Sequence, residues 1–181
     1  MIFSIDLGDF LQRRGIDKED SFVIFDANVA KEVAIAKSRE GKGIYDLHLS
    51  GWDLVLPRRV VWEMEHRRLG IGKRLVPQQL VVYFLRELGA RIMAVRPQSH
   101  EEDLIVRLWR STPKGQHASS GDEQQFRRSG DMHILTLALR ERDRSVVIFS
   151  NDADVRRIVR SLGGRKLHVI GYEKGQLFRS V

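Results

Sequence analysis

Short, wholly apolar blocks alternate along this chain with longer stretches in which apolar residues recur every three or four positions. Residues 22–26 (FVIFD) are aromatic and β-branched without polar interruption, which predicts a buried strand. Val29, Val33 and Ala36 then fall at helical spacing, predicting a helix over 28–39 that GKG at 41–43 ends. A second strand is expected at 53–56 (DLVL), stopped by Pro57. A helix over 58–69 follows, with Pro57 near its start, where a missing N–H does no harm. Residues 77–88 (PQQLVVYFLREL) read as an apolar helix closed by Gly89. A third strand is expected at 91–95, and an amphipathic helix at 100–110 with acids in its first turn. The stretch 111–130 (STPKGQHASSGDEQQFRRSG) is polar and rich in Gly and Ser, and reads as a mobile loop. Beyond it come a helix over 131–142 opened by Asp131, a strand at 146–149, a helix at 153–162 stopped by Gly163–Gly164, and a strand at 167–170. Strands alternating with helices predict one α/β domain with a mainly parallel central sheet of about five strands. Residues 1–20 form an extension before its first strand.

At 181 residues the chain is long enough to bury a substantial core. Its 42% apolar and 30% charged residues suit a globular protein. No apolar run approaches the ~20 residues of a membrane-spanning helix. The N-terminus lacks the basic-then-apolar order of a secretory signal. With no cysteine there is no disulfide, thiolate zinc site or thiol nucleophile. A cytoplasmic location is the resulting expectation. The net charge of +7 favours a polyanionic partner, of which nucleic acid is the commonest.

The acids carry the chemistry. Asp26 closes the first apolar block, and Asp152 follows the fourth in VVIFSNDADV. In an open parallel sheet, sites form outside the carboxyl ends of strands. If the two strands are neighbours, both acids face one crevice, where Asp131 and Glu63 could join them. Clustered carboxylates repel unless protons or a cation neutralise them. Oxygen-only ligands favour Mg²⁺ or Mn²⁺ over zinc. Such ions activate water and stabilise charge on a phosphate. Each acid also has a purely structural role open to it: Asp26, Asp131 and Asp152 as helix caps, Glu63 paired with an arginine. Their joint placement is what favours a site.

Four segments in order, FVIFDANV, LPRRVVWEMEH, SGDMHILTLAL and VVIFSNDADV, resemble the motifs of the PIN-domain family of metal-dependent nucleases. The resemblance spans about 22–170. It implies a three-layer α/β/α fold and Mg²⁺- or Mn²⁺-dependent endonucleolytic cleavage of RNA. It further implies metal binding by Asp26, Glu63, Asp131 and Asp152, directly or through water, with Asp154 as an auxiliary acid. Asn28 and Ser150 would support these ligands by hydrogen bonds. A homodimer is the family's common state. Arg58, Arg59, Lys73, Arg74, Arg127 and Arg128 are candidates for contact with the RNA backbone. Two other classes stay open: an inactive PIN-like module that binds RNA or a protein, and a toxin held by an antitoxin. The segment before the first motif and the polar stretch before Asp131 depart from the small toxins.

Other patterns fall short. Asp122 competes with Asp131, since SGD occurs twice, but an apolar helix follows only Asp131. NDADVRR lacks the later Gly and Glu of a calcium loop. RRLGIGKRL lacks phosphate-loop spacing, and no HExxH occurs. His133, two residues after Asp131, is expected to point away from it, and His117 to be solvated. Trp62 and Trp109 are expected to pack in the core or an interface.

Overall fold

Five apolar blocks become parallel strands of one sheet. The computed structural model describes residues 7–30, 51–66, 89–164, 166–173 and 176–179. The strands are β1 (Ser21–Phe25), β2 (Asp53–Pro57), β3 (Arg91–Met93), β4 (Ser145–Phe149) and β5 (Leu167–Glu173). A sixth, β6 (Gln176–Arg179), pairs antiparallel with β5. The order across the sheet is β3-β2-β1-β4-β5-β6. All of β1 and the last four residues of both β2 and β4 are buried. Continuous burial along parallel strands requires cover on both faces, as in a three-layer α/β/α arrangement. Pro57 is the last residue of β2 rather than the first residue beyond it.

The helices are α1 (Leu7–Gln12), α2 (Arg58–His66), α3 (Ser99–Arg110), α4 (Pro113–Gln116), α5 (Ser120–Arg127), α6 (Gly130–Arg140) and α7 (Ala153–Leu162). Residues 27–30 are also helical. The rest of the helix expected over 28–39, and the whole of that over 77–88, lie outside the described residues. Helix α6 packs against α2, α3 and α7. The extension before β1 belongs to the domain, because Leu11 and Ile16 are in the core.

The polar stretch 111–130 is not a loop. Thr112 caps α4 by accepting from the Gly115 N–H, with Pro113 in the first turn. Ser119 and Asp122 form a reciprocal capping box at the start of α5. Arg110 then ties the two together, donating to the Ala118 carbonyl at 2.7 Å and to Glu123 at 2.8 Å. Buried Phe126 stacks on Trp109 with centroids 4.6 Å apart. Composition suggested a loop because Ser, Thr, Gly and Pro favour turns. Here two of them are helix starts and one is a close approach: a Cβ on Gly115 would lie 1.9 Å from the Trp109 carbonyl oxygen.

Candidate active site

Sheet order reverses between β1 and β4. The chain builds outward from β1 to β2 and β3, then returns to the other side of β1. That reversal opens a crevice at the carboxyl ends of the two strands. The register pairs Phe25 with Phe149, so Asp26 and Ser150, the next residues, stand side by side. The Asp26 N–H donates to the Phe149 carbonyl at 2.9 Å. Ser150 Oγ donates to Asp26 Oδ2 at 2.9 Å and accepts from the Asp152 N–H at 3.1 Å. One buried hydroxyl therefore links the two strand ends.

Both acids also cap helices. Asp152 Oδ1 accepts from the Asp154 N–H at 2.6 Å, at the start of α7. Asp26 accepts from the Asn28 backbone N–H, and its carbonyl accepts from Ala30 at 2.9 Å. The expected support from Asn28 comes from its main chain, not its carboxamide; the residue is exposed. Auxiliary Asp154 is buried and paired with Arg157 at 3.4 Å.

Helices α2 and α6 bring the other two acids. Glu63 is buried on α2, with Oε1 accepting from the Gly130 N–H at 2.9 Å and standing 3.7 Å from Arg59. Glycine leaves room for the contact: a Cβ at 130 would lie 2.8 Å from Glu63 Oε2 and 3.2 Å from Val60 Cγ2, so Glu63 would have to shift. Asp131 is the next residue. It keeps part of its surface open, but protein surrounds it closely, and no hydrogen-bond donor meets it among the described residues.

The four carboxylates feel one another. Burial pushes the Asp26 carboxyl up to about 6, helped by the charges of Asp152 and Glu63 and opposed by the Ser150 hydroxyl and the Asn28 N–H. Burial also raises Asp131 well above its ordinary value, with Asp26, Asp152 and Glu63 adding to the effect. Lys114, on α4, opposes it. As the side chains stand, no three His, Asp or Glu among the described residues form a set able to hold a single metal ion. The four acids lie within electrostatic reach of one another without converging on a point, three being turned to helix starts. The donor set still fits a hard dication: it is all oxygen, and two carboxyls are destabilised by burial and like charge.

No protein-family model matches the chain, and no curated protein is similar to it. The site therefore has to be read from its own chemistry.

Asp122 is exposed and takes part in the α5 capping box. Of the basic candidates, Arg127 is engaged by Glu102, Glu123 and Asp103. Arg128 is exposed, and Lys73 and Arg74 lie outside the described residues. Arg58 and Arg59 line an open groove of ≈ 330 Å³ with Trp62, Ala94, Val95, Arg96 and His133. Trp109 is buried as expected, but Trp62 is 41% exposed and is not a core residue. Sequence reading also passed over Lys114. Its only signal was its place beside Pro113, a helix start within the supposed loop.

Proposed function

We propose that the crevice is the active site of a divalent-metal-dependent nuclease of PIN-like architecture, hydrolysing phosphodiester bonds of RNA. The observation that supports this most is the meeting of four acids from four separate segments at the switch point of a parallel sheet, two of them with raised pKa. A fold gains no stability from burying mutually repelling carboxylates; a cation removes that repulsion. Asp26, Glu63, Asp131 and Asp152 would hold Mg²⁺ or Mn²⁺. Bound there, the ion supplies Lewis acidity that activates water and offsets charge on the phosphate. Ser150 holds Asp26 and the Asp152 backbone in fixed relation. The N-termini of α6 and α7 and of the turn at 27–30 lie at the acids, so their dipoles favour a phosphate approaching the same crevice. Lys114, whose charge is felt by Asp131, would meet substrate charge on that side. The four-motif resemblance to PIN-domain nucleases agrees with this reading.

A second reading, a module that binds without cutting, draws on one observation: Glu63 and Asp152 already serve as caps for α6 and α7. Incubating single-stranded RNA with the chain, with and without Mn²⁺, separates the two. The nuclease reading predicts metal-dependent cleavage that falls at least about a hundredfold in Asp26→Asn and in Asp152→Asn, the scale of losing electrostatic stabilisation at a reacting centre. RNA binding without cleavage under every metal condition favours the second reading.

A further inference from the structure

We propose that the groove between α2 and the segment after β3 is a nucleotide subsite, taking one unit of single-stranded RNA with its base against Trp62 and its phosphates on Arg58 and Arg96. The subsite deepens the nuclease reading, and rests on it for the direction of the strand toward the carboxylates.

Trp62 is 41% exposed, whereas Trp52 and Trp109 are buried at 8% and 2%. An indole left in water on a groove wall suits a stacking platform, because every base has a π-face. Trp62 already belongs to a column of flat groups. The Arg59 guanidinium lies 4.1 Å from its ring centroid, and the His66 imidazole stacks on it at 4.8 Å and 12°. A base extends such a column or replaces the His66 ring within it. Arginine planes and indoles are the surfaces on which single-stranded bases are held.

Charge selects the ligand class. Many arginines of this chain are neutralised locally: Arg110 by Glu123, Arg127 by three acids, Arg140 by Glu101, Arg144 by Asp53. Arg58 and Arg96 have no acidic partner among the described residues, and both are exposed at the groove. The volume of ≈ 330 Å³ is at the small end of the range for ligand sites, about 300–1,000 Å³, and suits one nucleotide rather than a duplex.

The groove and the acidic crevice share two helices. Arg59 and Glu63 lie one turn apart on α2, and His133 follows Asp131 on α6. Arg59, which lines the groove and stands 3.7 Å from Glu63, links the two, so a strand seated on Trp62 would approach the acids on the Glu63 side.

The test is fluorescence anisotropy of a labelled single-stranded RNA oligonucleotide with the whole chain in EDTA, where cleavage does not intervene. Trp62→Ala is expected to weaken binding roughly tenfold, and Trp62→Phe to stay within a few-fold of wild type, since stacking tolerates any aromatic face. Arg58→Ala with Arg96→Ala is expected to flatten the dependence of log affinity on log salt by about 0.7 per arginine. Circular dichroism checks that each variant is folded. Wild-type affinity and salt dependence in all folded variants would overturn the subsite. So would a wild-type chain that binds a poly-glutamate peptide and not RNA. Tight, Trp62-dependent binding without metal-dependent cleavage would keep the subsite and remove the nuclease. Cleavage with unchanged KM in Trp62→Ala would do the reverse.

Discussion

Asp26 carries the conflict at the centre of this molecule: it is buried, hydrogen-bonded to Ser150 and to a backbone N–H, and still has a raised pKa. Its carboxyl moves from 3.8 toward about 6, so the folded state holds this proton more tightly than the unfolded chain does. The resulting contribution to stability is full below about pH 4 and is lost as pH rises through about 6. Asp131 shifts in the same direction. Metal-free protein should therefore lose thermal stability between pH 4.5 and 7.5 where these groups dominate, and Mn²⁺ should restore more at pH 7.5 than at pH 5, because protons compete for the ligands. Asp26→Asn removes the buried charge and should stabilise the metal-free chain at pH 7.5 by roughly 1–3 kcal/mol, following ~1.4 kcal/mol per pKa unit. Chemical denaturation at that pH measures it; a marked loss of stability would mean that the ionised Asp26 is compensated by its hydrogen bonds. Gly130→Ala should destabilise by about 1–3 kcal/mol, because its Cβ forces Glu63 from the N–H it accepts. Asp26 was legible in sequence as an acid ending an apolar block. The room that glycine leaves at 130 was not, since it serves a partner 67 positions away.

At the scale of elements, α3 and α6 are joined by an ion pair between buried Glu101 and exposed Arg140. Glu101 accepts from Arg140 Nε and Nη2, both at 2.7 Å, and its Oε2 also accepts from the Gln98 N–H. The hydrogen bonds with Arg140 hold the Glu101 carboxyl below its ordinary value. A depressed carboxyl stabilises above its unfolded pKa and loses that contribution as pH falls through its folded value. Glu101→Ala should cost about 1–3 kcal/mol at pH 7, the range for hydrogen bonds to charged groups. The loss should shrink below about pH 4, where thermal melts of variant and wild type should converge; a gap that persists in acid would assign the effect to packing. The helix at 153–162 matched its sequence pattern residue for residue, and all five expected strands matched within a residue at their starts. The failures have local causes. Helices α4 and α5 are short, capped by Thr112 and Ser119, and too polar to show a helical stripe. β6 (QLFR) is four residues long and gives no periodic signal.

For the whole molecule, the parallel order and its reversal between β1 and β4 bring Asp26 beside Ser150 and the Asp152 backbone, with the other two acids within electrostatic reach. Alternation of elements made the α/β class legible, but neighbouring of β1 and β4 is a matter of topology and had to come from the structure. A net charge of +7 does not spread evenly in effect. Arg110, Arg127, Arg140 and Arg144 are held in pairs, while Arg58 and Arg96 stay unpaired among the described residues beside the acidic crevice. No helix among the described residues is long and apolar enough to cross a membrane. The proposed cation site, next to Arg58, Arg96 and an exposed indole, would make a layout suited to a phosphodiester strand. The central claim is that Asp26, Glu63, Asp131 and Asp152 form one divalent-cation site. Titration of Mn²⁺ into the metal-free chain at pH 7.5, followed by electron paramagnetic resonance, tests it most directly. The account predicts saturable loss of the free-ion signal, weakened at least about tenfold by Asp26→Asn and by Asp131→Asn, the scale of removing one charged ligand partner. Equal Mn²⁺ uptake by wild type and both variants, or none by the wild type at millimolar ion, would contradict it.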